Sequence, residues 1–176
     1  LFLGDEINRT SPKTQSALLE VMEEGQVSVD GVTHALPKPF IVIATQNPAG
    51  SAGTQLLPQS QLDRFTICLS LGYPDIEEEI AILKGRIARN PLETLEPVLE
   101  ASQLLALQEE CSHVFIHDRI YHYICSLVQA TRNHPMVELG ISPRGTLALT
   151  HMAQAGAYLA GRNYVIPKDI QTIFPD

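Results

Sequence analysis

Leu1-Phe2-Leu3-Gly4-Asp5-Glu6-Ile7-Asn8-Arg9 carries an apolar run straight into two adjacent carboxylates. A short apolar run of this kind predicts a strand buried on both faces, as in a parallel sheet. In open α/β sheets ligands sit beyond the carboxyl ends of the strands, which is where Asp5 and Glu6 project. Two neighbouring acids repel each other, so a cation or polar ligand at that edge would relieve them. A plain solvated strand end is the alternative, and the remainder of the chain has to decide between the two.

Outward from that stretch, Thr10-Ser11-Pro12 predicts a helix start, with Ser11 as N-cap and Pro12 at the first helical position. Ala17, Leu18, Val21 and Met22 form its apolar stripe, and Gly25 ends it in the position that tolerates a left-handed residue. Gln26–Val29 and Val32–Ala35 flank Asp30-Gly31, a strong signal for a β-hairpin. Phe40–Ala44 is a second apolar strand, and it ends in Thr45-Gln46-Asn47-Pro48, a second set of polar groups at a carboxyl edge. Residues 49–58, rich in Gly and Ser, predict a mobile loop. Ser60–Phe65 reads as the end of a short helix, and Thr66–Leu71 as a third strand stopped by Gly72-Tyr73-Pro74.

From Asp75 the pattern turns wholly helical. Helices are expected over Ile76–Arg89, broken by Asn90-Pro91, then over Ala101–Ser112, Asp118–Arg132 and Pro143–Ala160, with a short final turn from Pro167. Glu77-Glu78-Glu79 suits the positive end of the first of these. The change of character divides the chain into an α/β part, 1–75, and an all-helical part, 76–176.

The 176 residues suffice for one ordinary domain or two small ones. A content of 44% hydrophobic and 18% charged residues belongs to a soluble globular protein. A formal net charge of −8 disfavours broad binding to a nucleic-acid backbone, though it leaves room for a local basic patch. Cys68, Cys111 and Cys125 are odd in number and far apart, which suggests reduced, mostly buried thiols in the cytoplasm. No apolar run approaches the ~18 residues of a membrane span, and no signal peptide is visible. The chain opens in mid-strand without a methionine, as a fragment would. His113 and His117 invite a metal reading, but the first lacks the following Glu of a zinc-protease helix, and Val114-Phe115-Ile116 between them suits a short extended segment.

Five motifs in order resemble the MoxR family of AAA+ ATPases: Leu3–Arg9, Lys13–Glu20, Ala44–Pro48, Leu62-Asp63-Arg64-Phe65 and Ser142-Pro143-Arg144. Each is weak alone; the ordered set is specific and runs over nearly the whole chain. The resemblance covers the nucleotide-binding core from its Walker B strand onward, plus the helical lid. It implies an α/β fold: part of a P-loop NTPase parallel sheet with a β-hairpin insertion, followed by an all-helical lid. It implies ATP and Mg²⁺ as cofactors. Asp5 would be the Walker B aspartate, holding Mg²⁺ through its water shell, and Glu6 the base that orients and deprotonates the attacking water. Asn47 matches sensor 1 and would help position that water against the γ-phosphate. Arg64 matches the arginine finger, reaching into the adjacent subunit, and Arg144 matches sensor 2, contacting the γ-phosphate from its own lid. Such a set agrees with phosphoryl transfer, which needs metal, an oriented water and positive charge on the transferring group.

The resemblance further implies a ring, expected as a hexamer, that couples ATP hydrolysis to chaperone-like remodelling or assembly of protein complexes. Partners with a von Willebrand A-type domain are expected, and neither membrane nor nucleic acid. One departure is large. No Gly-x-x-x-x-Gly-Lys-Ser/Thr loop occurs in these residues, so the parent protein is expected to be an ATP hydrolase and this chain alone to be inactive. Gly4 within the strand and Gly145 after Arg144 are smaller departures. Two other readings stand beside the remodelling machine: a truncated, non-catalytic interaction module, and a DNA-acting AAA+ motor. The acidic balance and the absence of basic residues from Ser28 to Thr33 count against the motor.

Overall fold

A computed structural model describes residues 1–47, 56–88 and 95–175. Residues 49–55 of the loop expected at 49–58, and the break at Asn90-Pro91, lie outside the described residues. Strand β1 (Phe2–Gly4) is followed by a 3-10 turn (Ile7–Arg9) and helix α1 (Pro12–Glu24). Ser11 caps α1 by accepting a hydrogen bond from the Thr14 N–H at 3.2 Å, and Gly25 ends it with φ 62°. Both are the residues the sequence nominates. The stripe is rotated from expectation, however: Leu19 is buried, Leu18, Val21 and Met22 are half-buried, and Ala17 is exposed. At 100° per residue Ala17 lies about 140° round the helix from Met22, on the far side of the covered face.

Strands β2 (Gln26–Val29) and β3 (Val32–Ala35) pair antiparallel in the expected hairpin. Asp30 and Gly31 both have positive φ, 51° and 79°, as a two-residue turn of matching twist requires. Strand β4 (Val42–Ala44) returns to pair parallel with β1, Phe2 against Val42 and Gly4 against Ala44. Two expectations fail in this sheet. Its strands are not buried on both faces, for Leu3 is 63% and Ile43 50% exposed. Thr66–Leu71 forms no strand and pairs with no strand among the described residues, and Leu69 and Leu71 are exposed. The reason is shared. A strand needs a hydrogen-bonded neighbour and a covering layer, and in the parallel sheet the described residues offer no strand beyond the β1–β4 pair.

Helix α2 (Gln59–Leu62) is a single turn, and α3 (Ile76–Ala88) starts on a reciprocal cap between Asp75 and Glu78. The helical part proper comprises α4 (Ala101–Ser112), α5 (Asp118–Asn133), α6 (Pro143–Leu159) and α7 (Pro167–Ile173). Its core is contiguous. Ile120, Ile124 and Val128 on α5 face Leu149, Ala153 and Ala157 on α6, closed by Val165 and Ile170. The four-residue spacing puts each set on one helical face, and the small alanines let the helices approach. Arg162 grips Asp169 with two hydrogen bonds, 2.9 and 2.5 Å, which holds the Asp169 carboxyl below its ordinary range. Phe115 bridges to the chain at Tyr164, the short extended segment expected there. His117 caps α5 by accepting from the Arg119 N–H at 3.1 Å.

The cysteines depart from expectation: Cys68 and Cys125 are exposed and Cys111 is half-buried. Cys68 lies in the unpaired segment, and Cys125 follows buried Ile124 on the outward side of α5. Among the described residues no helix is long and apolar enough to cross a membrane.

Candidate functional site

Asp5 and Glu6 leave the carboxyl end of β1, and the parallel pairing sets Thr45, just past β4, beside them. Thr45 donates its hydroxyl to Asp5 Oδ1 at 2.5 Å, and the same oxygen accepts the Glu6 N–H at 2.9 Å. Glu6 adopts a left-handed conformation, φ 47° and ψ 48°, uncommon for a residue with a Cβ. The kink sends its side chain to Arg9, 2.9 Å away. Asn8, one of the buried polar residues, donates to the Asn47 carbonyl at 3.3 Å, while its own buried Oδ1 has no partner among the described residues. Asp5, Glu6 and Asn47 are thus brought to one sheet edge from two strands.

Arg64 and Arg144 meet elsewhere. Both guanidinium groups pair with Glu23 near the end of α1, Arg64 Nη1 on Oε2 and Arg144 Nη2 on Oε1. The Ser142 hydroxyl, which also caps α6 through the Gly145 N–H, donates to Asp63 Oδ1 at 2.6 Å. The segments around Asp63-Arg64 and Ser142-Arg144, remote in sequence, are therefore clasped together. The five candidate residues fall into two groups, one held at the β1–β4 edge and one on Glu23. At Gly145 a Cβ would lie 2.9 Å from the neighbouring Ile141 Cγ2, so a larger residue there would have to displace that side chain.

Sequence reasoning missed Thr45 as a clasp, Asn8 as a buried strut and Glu23 as the arginines' partner. Glu23 did carry a signal. An acid in the last turn of a helix opposes the helix dipole, and no basic residue offsets it within that turn.

A model of the ATPase family associated with various cellular activities matches residues 1–67, and one of the AAA lid domain matches 129–176. The chain is 54% identical to the uncharacterized protein YeaC of Bacillus subtilis over 99% of its own length and 55% of that protein's. It is 41% identical to chaperone MoxR1 of Mycobacterium tuberculosis over 99% of its own length and 48% of that protein's. The chain belongs to the MoxR family of AAA+ ATPases. A crystal structure from Cytophaga hutchinsonii, provisionally described as an ATPase, superposes with a TM-score of 0.90 at 36% identity. It is covered over 56% of its length by 99% of this chain. The MoxR-family chain thus spans about half the length of the curated relatives it matches. Its fold is α/β, a short parallel sheet followed by a helical lid.

Proposed function

We propose that this chain supplies the catalytic carboxylates, the sensor residues and the lid of an ATP hydrolase that remodels or assembles protein complexes. The observation that carries this is the pair Asp5 and Glu6 at the end of β1, fixed to the neighbouring strand by Thr45. Asp5 fits a Mg²⁺ ion. That ion keeps several waters and takes one or two carboxylates, and among the described residues Asp5 Oδ2 receives no donor. When bound, Mg²⁺ would draw charge from the phosphates. Asp5 would hold the ion, Glu6 would orient the attacking water and take its proton, and Asn47 would help position that water. Arg64 and Arg144 supply positive charge to the transferring group, Arg64 to a neighbouring subunit's nucleotide and Arg144 from the lid.

Further parts of the reading concern the whole protein. The nucleotide-binding portion runs over 1–75 and the lid over 76–176, in a hexameric ring in the cytoplasm, with a von Willebrand A-type domain on the partner. The described residues provide no glycine-rich phosphate cradle, so the 176 residues alone bind ATP weakly or not at all. The test is Glu6→Gln in the full-length protein. ATP turnover should fall about 10²–10⁴-fold, with ATP binding retained. Turnover at the parental rate would remove Glu6 as the base.

A further inference from the structure

Glu23 stands where dipole compensation would not put it. It occupies the negative end of α1 with no base in the same turn. Arg144, its partner, occupies the first turn of α6, the positive end of that helix, behind Pro143 and the Ser142 cap. Each charge opposes the dipole of its own helix, and each is offset by the other. Arg64 completes the cluster and is not fully satisfied in it: among the described residues its buried Nε has no acceptor, while Nη1 alone meets Glu23. Two guanidinium groups converging on one carboxylate form an anion site. The anion in it belongs to the chain.

We infer that Glu23 is a positioning residue that occupies this two-arginine site as an internal anion and yields it to phosphate. The inference rests on the reading of Arg64 and Arg144 as phosphate-contacting residues. Three features favour exchange over a permanent brace. The side chains of Arg64, Glu23 and Arg144 are 32%, 43% and 42% exposed, so the ion pairs are of the weak, solvent-screened kind. Phosphate carries more charge than a carboxylate and more oxygens to share between two forks. The unsatisfied Arg64 Nε would gain an acceptor in a bidentate contact that Glu23 does not give it. Because both arginines share one carboxylate, displacing it frees both at once. Arg64 and Arg144, both read as contacting phosphate, would then exchange Glu23 for phosphate together.

The test reads the two arginines directly. Full-length protein, wild type and Glu23→Gln, is labelled with phenylglyoxal in a titration of inorganic phosphate, and modification is mapped at Arg64 and Arg144, with exposed Arg119 as reference. In the wild type both should label slowly, and Glu23→Gln should accelerate both. Phosphate should then protect both with a common midpoint, at a concentration about 5–10-fold below that needed in the wild type, as loss of a competitor worth one weak ion-pair cluster implies. Acceleration at one arginine only, or equal midpoints in the two proteins, would overturn the inference. Melting temperature separates a brace from a competitor: it should move little in Glu23→Gln. A large drop, with Glu23→Asp restoring both stability and slow labelling, would make Glu23 a structural strut. The labelling is independent of turnover, so a full-length protein that hydrolysed no ATP would remove the ATPase reading without touching this result.

Discussion

Thr45 holds both carboxylate residues through one oxygen, accepting from the Glu6 backbone and donating to the Asp5 side chain. Valine has nearly the same shape and can do neither. In the full-length protein Thr45→Val should lower ATP turnover about 10–100-fold, the scale of one hydrogen bond to a charged group, and Thr45→Ser should restore most of it. Steady-state rates at saturating ATP check this; equal rates for Val and Ser would show that the hydroxyl holds nothing of consequence. Asp5 and Glu6 were legible in the sequence because an apolar run ending in acids is a local pattern. Thr45 was not, because its partners lie 40 and 39 positions away and only the parallel register sets them side by side. The Glu23 pairs, spanning 41 and 121 positions, were further beyond reach.

The elements that were legible are those whose ends are chemically marked. Ser11 with Pro12, Gly25, Asp30-Gly31 and Ser142 with Pro143 each satisfy or release backbone groups within a few residues, so the boundaries follow from short strings. Thr66–Leu71 failed because strand character is conferred by a neighbour, not by composition alone. Between α5 and α6 the structure holds a constraint that no short string announces. A Cβ on Gly140 would sit 2.5 Å from the Arg132 Cα, in the backbone of α5, while Arg132 Nε donates to the Ile141 carbonyl at 2.8 Å. That contact sets the path into Ser142 and hence the direction of Arg144. Gly140→Ala should therefore cost about 1–3 kcal/mol of stability by overpacking, read as a lowered melting temperature. An unchanged melting temperature would mean that the loop can shift freely against α5.

At the scale of the whole molecule, the buried apolar residues are unevenly shared. Val114 to Ile170 form one cluster within the lid, whereas the α/β portion buries only Ile7, Leu19 and Leu57 among the described residues. The family assignment was legible because its motifs occur in order along the whole length; this imbalance was not, since apolar strands and apolar helices look alike until their neighbours are placed. The self-contained lid core has a consequence in time. Backbone amides of Ile124, Leu149 and Ala153 can exchange with solvent deuterium only when the lid cluster opens as a unit, whereas those of β1 and β4 need only a local separation of two short strands. Hydrogen exchange on this chain should show α5 and α6 protected for the longest times and β1–β4 labelled early. Equal protection of the two regions would mean that they open together, as one clock instead of two.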